Sequence, residues 1–554
     1  MTTSSPIPAS RSIAWLGWLV LAIALLIVAW LLPVNIKSLN QALLREAGRD
    51  TPSVTAFGRE LLDLDKPGPA ELAAEAAHAV GDQGADSLTE QYQAFIQQHP
   101  DMAPWGGWDV ALEPLLVSRN AAAPHDSVPV LRFMVTQQAR DTLRLYLSVS
   151  RLPAVQTLLK TGDLTTTKRF VPAHQPGGQP LDAVILLTSY LWQTEHLSAS
   201  LQREVRGLAE NAVVTGEMGP LEDFYLDILT LGKRLNWIQL SELLRTTTST
   251  NTVAQFAYLS RVAPEHLAVI YTAALMTRSA DDVARYLIAF GKPGADNLSL
   301  AMSYGQGAVQ QLVARQAPVS NRSGLELEIG APFVLRHPEL AVLLKYAAFL
   351  VGIFLVLRSV DLRMFAAIES ALPAAFPRMG SGLLAAILTF IFFVFSEPFL
   401  LKAAASTDYQ IKLVIPVLGQ AIAGTAPKTS TPAPTMELST VLSISVFALL
   451  QIGMYVTCLF KISSVNRLSL PAVVKLKLME NEENLFDGGL YVGIAGTATA
   501  LVLQVLGVID ANLLAAYSSN LFGIVCVALV KIRHVRPYKR QLIMESQQGV
   551  TVTA

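Results

Sequence analysis

The chain holds only two cysteines in 554 residues, Cys458 and Cys526, and both stand inside apolar runs. Residues 34–339 contain none, which excludes a disulfide and a cysteine-based metal site from the longest polar segment. Charge is also scarce: 15% of residues are Asp, Glu, Lys or Arg against 52% hydrophobic, too apolar for a soluble enzyme of this length. Metal-ligand spacing is missing. His78, His99, His125, His174, His196, His266 and His337 are scattered, with no H-E-x-x-H among them, and read as solvated or core histidines. There is no G-x-S-x-G elbow. The Gly-Lys pairs at 232–233 and 291–292 lack the upstream glycine and following Ser/Thr of a phosphate-cradling loop. The acidic pairs Glu222-Asp223 and Asp281-Asp282 fall at helix starts, where the macrodipole favours them, and read as caps rather than acid/base dyads. No fixed repeat period occurs, so no named repeat family is supported. These absences predict a non-enzymatic protein without cofactor or metal.

What charge there is divides unevenly. Residues 34–339 carry 25 basic and 32 acidic side chains, whereas residues 340–554 carry 16 and 11, so the two parts are expected to face different compartments. Neither excess is large enough to suggest nucleic acid as a partner.

Residues 1–12 are Ser/Thr/Pro-rich and expected to be disordered. Residues 13–32 form an uncharged apolar run with Trp15, Trp18 and Trp30 near its ends, as suits a helix whose ends lie at headgroup depth. A cleaved leader is the competing reading; the run is long for one, no A-x-A site follows directly, and it reads as an anchor. Residues 34–339 are helical almost throughout, with stretches expected at 69–80, 86–98, 130–149, 181–196, 200–213, 219–233, 236–246 and 297–316. Pro264 and Ser279 mark helix starts, and Gly291-Lys-Pro-Gly294 marks a stop. Short connections between neighbours predict stacked antiparallel hairpins, an irregular α-solenoid. Residues 105–109 (WGGWD) and 174–180 read as loops, the paired tryptophans filling a gap or forming a binding surface. Residues 324–335 alternate briefly and predict a short strand.

Five further apolar runs follow, at 340–357, 382–401, 441–460, 490–509 and 513–530, each close to the length a helix needs to cross a bilayer. Lys345 stands near one end of the first, where it can snorkel. With 13–32 this gives an all-α, six-span membrane protein with a large helical domain between spans one and two. Basic residues gather between spans two and three (Arg358, Arg363, Arg378), in 461–488 (Lys461, Arg467, Lys475, Lys477) and in the tail 531–554 (Lys531, Arg533, Arg536, Lys539, Arg540). The positive-inside rule makes all three cytoplasmic. Both termini are then cytoplasmic in a plasma (inner) membrane, and residues 34–339 and the loop 402–439 are extracytoplasmic. That loop holds an apolar piece at 411–418 and a Pro/Thr linker.

Polar groups inside spans carry the most information, because they are costly there. Glu397, followed by Pro398, is the carboxylate within a span, expected near the outer interface within reach of water. In the last hairpin, Gly488, Gly489, Gly493 and Gly496 give a smooth helix face, and Thr497, Thr499, Ser518, Ser519 and Asn520 add polar groups along both helices. Residues 488–533 resemble the pore hairpin of the MotA/TolQ/ExbB family of ion-driven motor subunits. Residues 491–497 (YVGIAGT) are similar to its G-x-x-G-T signature, and residues 513–519 (LLAAYSS) to its Leu-Leu-Ala-Thr-Ala stretch. Ala516 stands where that family has a pore threonine, and the rest of the chain has no counterpart in it. The resemblance implies pore or packing roles for Gly493, Gly496, Thr497, Thr499, Ser518 and Ser519. It also implies a single-span partner supplying a proton-carrying aspartate, or a homo-oligomer.

Two functions are therefore expected. The first is an envelope protein whose outer helical scaffold binds another protein, with membrane lipid as its other partner. The second is an ion-conducting or energy-transducing subunit working through the last hairpin.

Overall fold

The computed structural model describes residues 9–112, 127–320, 328–364, 438–505 and 513–551, with isolated positions between 382 and 397. The described chain is mostly helical, with two two-residue strands, and it divides into two compact units.

The first unit begins with α1 (Ala9–Leu31) and ends with α18 (Pro338–Met364), which pack against each other along their length. Small residues line the seam: Ala22, Ala29, Ala341 and Ala348 are buried, and a Cβ on Gly352 would stand 3.0 Å from the Leu26 side chain. In a lipid surround, where apolar surface alone gives no drive to associate, such close backbone approach supplies the packing. The outward faces of both helices, including Leu16, Ile23, Leu343 and Val351, are exposed. Between α1 and α18 the chain folds into a helical domain. Two-residue strands, β1 (Leu39–Asn40) and β2 (Val319–Ser320), pair in parallel with Leu39 opposite Val319, so the segments leaving α1 and approaching α18 run side by side. Lys345 does not snorkel outward. It is buried, and its Nζ donates to the Val34 carbonyl at 2.6 Å and to Asn35 Oδ1 at 3.3 Å. These contacts close a neck at the base of the domain.

Most expected helices form: α4 (Pro67–Val80), α5 (Ala85–Gln98), α9 (Gln179–Gln193), α10 (Ala199–Thr215), α11 (Pro220–Gly232) and α12 (Trp237–Arg245). Four expectations are corrected. The stretch 297–316 is broken at Gly305 (φ 118°) into the end of one helix and the whole of the next. The stretch 130–149 is two helices, α6 (Val130–Met134) and α7 (Gln137–Ser148), because Thr136 turns extended and its hydroxyl caps the Ala139 N–H. The strand expected at 324–335 is not formed in its described part. There Pro332 opens a short helix, α17 (Ala331–Arg336), with Ala331 and Val334 buried one turn apart. Lastly, the hairpins do not extend as an open solenoid. The early helices α2 (Gln41–Gly48) and α4 pack against the late ones, α14 (Leu267–Thr277) and α16 (Gln306–Arg315), and one hydrophobic core runs through the domain. Gly307 permits this closure, since a Cβ there would lie 2.1 Å from the Ala47 carbonyl oxygen. The stop at Gly291 is present as a kink (φ 58°, ψ −140°) inside α15 (Ala280–Tyr304).

The second unit contains α19 (Leu438–Arg467), α20 (Ala472–Asn481), α21 (Glu483–Phe486), α22 (Gly488–Val505) and α23 (Leu513–Leu529). A π-helical turn (Val530–Val535) then leads into α24 (Arg536–Thr551). Helices α19, α22 and α23 pack together, and α20 packs on α24 around Met479, Val535 and Leu542. Two helices among the described residues are long and apolar enough to cross a membrane, Pro338–Val360 and Phe447–Arg467, and Trp15–Leu31 is a shorter apolar one. Half of the span expected at 382–401 and nearly all of the loop expected at 402–439 lie outside the described residues.

Candidate functional site

The hairpin α22–α23 is built on glycine. A Cβ on Gly489 would stand 3.0 Å from Cys526 Sγ, one on Gly493 would stand 3.0 Å from the Ser519 carbonyl oxygen, and one on Gly523 would stand 2.5 Å from the Gly489 carbonyl oxygen. Contacts shift toward earlier α23 residues as α22 advances, so the helices are antiparallel and nearly backbone to backbone. Gly496 faces Ser519 and Phe447. Thr497 Oγ1 donates to the Gly493 carbonyl of its own helix at 3.0 Å, and Ser519 Oγ reaches the same carbonyl from α23 at 3.3 Å. Thr499 is exposed, and the side chain of Ser518 lies outside the described residues. Two residues that sequence reasoning passed over complete the seam. Gly523 is one. The other is Gln451 of α19, buried, whose Nε2 donates to the Gly489 carbonyl at 3.0 Å. A lone amide within the apolar run 441–460 was the available signal for it.

Among buried polar atoms, Gln451 Oε1 and Asn520 Oδ1 have no hydrogen-bond partner. One end of the same bundle carries a polar layer: Lys461 pairs with Glu482 at 2.7 Å, Lys531 with Asp487 at 2.7 Å, and the Tyr455 hydroxyl with His534 Nε2 at 2.8 Å. Glu397 is buried, at 1% exposure, with its N–H on the Phe393 carbonyl at 3.0 Å.

In the first unit three carboxylates, Glu222 and Asp182 buried and Asp109 half-buried, hold structure. Glu222 accepts the backbone N–H groups of Lys168, Arg169 and Phe170 at 2.6–3.0 Å. Asp182 takes Arg140 at 2.7 Å and also Arg144. Asp109, from the Trp-rich loop, accepts Trp237 Nε1 and the Ala111 N–H, both at 2.9 Å, and pairs with His196 Nε2. Arg245 Nη2 stands 2.8 Å from His196 Nδ1. Arginine can only donate, so Nδ1 is the acceptor and Nε2 carries the proton given to Asp109. Burial pushes the Asp109 carboxyl up, but His196, Trp237 and the Ala111 N–H outweigh it and hold it at about 2. Trp105 of that loop is buried against Phe133, filling a gap, while Trp108 is half exposed. Among the described residues no group of His, Cys, Asp or Glu is arranged to hold a metal ion.

Asp227 on α11 behaves oppositely. Burial, opposed by Arg261 and reinforced by Asp223, raises its carboxyl to about 7. A raised acid disfavours the folded state at pH values above the unfolded pKa, and that cost fades as pH falls from about 7 toward 4. Asp227→Asn is therefore expected to stabilise the protein by about 2–4 kcal/mol at pH 8 and by little at pH 4.5. Thermal melts of both forms at the two pH values check this; an equal gain at both would assign the effect to packing instead.

Fold and seam together define a mostly helical protein with two helices able to cross a membrane and a glycine-packed helical hairpin. No family model, no curated protein and no solved structure matches the chain.

Proposed function

We propose that this chain is a six-span envelope membrane protein whose residues 34–339 form an extracytoplasmic helical scaffold that docks another protein. The carrying observation is the neck. The folded domain leaves α1 and returns to α18 through adjacent segments held by β1–β2 and by Lys345, and α1 and α18 then run together with apolar faces outward. Adjacent entry and exit segments suit a domain inserted between two membrane helices. The commitment of Glu222, Asp182 and Asp109 to internal hydrogen bonds supports a scaffold rather than catalysis. Leu145, Tyr146, Val149 and Leu152 form an exposed apolar group on and just after α7, the kind of surface a protein partner covers.

In a variant with Cys458 and Cys526 replaced by serine, single cysteines at Ser303 and Gln541 are expected to label oppositely with an impermeant maleimide. The cells are intact but have a permeabilised outer barrier. Ser303→Cys should react and Gln541→Cys should not; equal labelling overturns the topology. Cross-linking in native membranes then tests the scaffold, which requires a soluble or outer-membrane protein captured through residues 34–339.

A second reading, ion conduction through α22–α23, is favoured by the unpartnered carbonyl oxygens of Gln451 and Asn520 beside the hairpin. It requires a single-span partner carrying a membrane carboxylate, or self-association.

A further inference from the structure

The basic groups at the end of the second unit fall into two kinds. Lys461 and Lys531 are paired with Glu482 and Asp487. Arg467, Arg533, Arg536, Lys539 and Arg540 make no ion pair or hydrogen bond among the described residues, and all except Lys539 are well exposed. The π-helical turn and α24 place them together. Val535, Tyr538 and Leu542 recur on the face packed toward α20, which turns Arg533, Arg536 and Arg540 away from it. The Tyr538 hydroxyl donates to Asn466 Oδ1 at 3.2 Å, which ties the end of α19, where Arg467 stands, to α24. The lone carboxylate of α24, Glu545, is held by Gln541 Nε2 at 2.9 Å.

We propose that this surface binds the phosphate headgroups of anionic bilayer lipids. The proposal rests on the membrane reading above and adds a specific ligand to it. Charge complementarity is its first support, since clustered arginines match phosphate oxygens bidentately. Position is the second. The exposed apolar face of α23 runs through Leu521, Ile524, Val525 and Leu529, and the arginines begin within one turn of its end. Ile532 and Ile543 remain exposed among them, at 62% and 43%. A soluble anion would leave those isoleucines in water, whereas a lipid covers them with its upper acyl chain. Basic groups at the end of a membrane helix act on anionic lipid in this manner.

The test uses the full chain purified in a neutral detergent. Retention of phosphatidylglycerol and of phosphatidylcholine with the same acyl chains is measured by native mass spectrometry. Wild type should prefer phosphatidylglycerol, and the preference should weaken with salt. The triple variant Arg536→Gln/Lys539→Gln/Arg540→Gln should bind it about a hundredfold more weakly, from roughly fivefold for each cation at an anionic surface. Arg151→Gln/Lys233→Gln, in the first unit, should match wild type. If the triple variant melts below the control, Arg540→Gln alone should still lose about fivefold. Equal retention of both lipids by wild type, or equal phosphatidylglycerol binding by wild type and variant, overturns the proposal. Displacement of the lipid by an equal concentration of inorganic phosphate overturns it in favour of a free-anion site, and tighter patch-dependent binding of an oligonucleotide or acidic peptide overturns it in favour of that ligand. Extraction of the chain from membranes by alkaline carbonate would instead overturn the membrane reading, whichever lipid is retained.

Discussion

Gly523→Leu is expected to open the α22–α23 hairpin. The obstacle at Gly523 is backbone, the Gly489 carbonyl oxygen 2.5 Å from where a Cβ would lie, with the Gly493 Cα at 3.2 Å behind it. A rotamer change cannot relieve that contact, so the helices must move apart. Overpacking of this kind costs about 3 kcal/mol. The two cysteines report the opening: both are buried, and Cys526 Sγ lies against Gly489. Maleimide labelling of Cys526 should accelerate roughly a hundredfold, as a shift of that size in a local opening equilibrium requires. An unchanged rate would mean that the seam is not packed as described. Thr497→Val is the matched comparison. Its hydroxyl bonds its own helix at 3.0 Å, so removing it should cost only about 0.6 kcal/mol and leave labelling unchanged. Proton flux in vesicles holding the chain with its cross-linked partner then separates the two functional readings. Loss of flux in Thr497→Val at unchanged melting temperature would favour conduction. Equal flux, or none in either, would end that role for this residue.

The second large effect is expected in the first unit, at Asp109→Ala. Three donors lose their acceptor at once: the Trp237 indole, the Ala111 N–H and His196, which is itself 2% exposed. Buried donors left unpaired cost about 1–3 kcal/mol each, and partial access to water reduces the sum to about 3–5 kcal/mol. Arg245 keeps Glu242 at 3.0 Å, so no unpaired cation adds to it. The effect depends on pH with a definite sign. A carboxyl held at about 2 in the folded state, against 3.8 for the free group, contributes stability that is fully present above about pH 4 and is lost as pH falls toward 2. That part amounts to about 2 kcal/mol. The gap between the melting temperatures of wild type and Asp109→Asn should therefore be widest at neutral pH, narrow below about pH 4 and close only as pH falls through about 2. A constant gap would show that the carboxylate's charge contributes nothing.

Several features were readable in the chain because they are local. Helix starts at Pro264 and Ser279 and the break at Gly291 follow from side-chain capping and backbone conformation within a few residues. The apolar runs at 340–357, 441–460, 490–509 and 513–530 are likewise helical wherever described, because an apolar run of about twenty residues is too long for one strand and closes its backbone hydrogen bonds within itself as a helix. The glycine face of α22 could be read for the same reason: residues 489, 493 and 496 share one side of any helix. Tertiary structure decided the rest. Nothing in the sequence joins Asp109 to His196, 87 residues away, or Gly307 to Ala47. The closed core replaced an open solenoid because α2 and α4 had apolar faces that α14 and α16 could cover, and periodicity identifies a face without naming what buries it. Lys345 read as a snorkelling cation until the neck supplied a carbonyl 2.6 Å away. Thr497 and Ser519 carried pore or packing roles in the sequence, and only the tertiary structure puts both hydroxyls within reach of the Gly493 carbonyl.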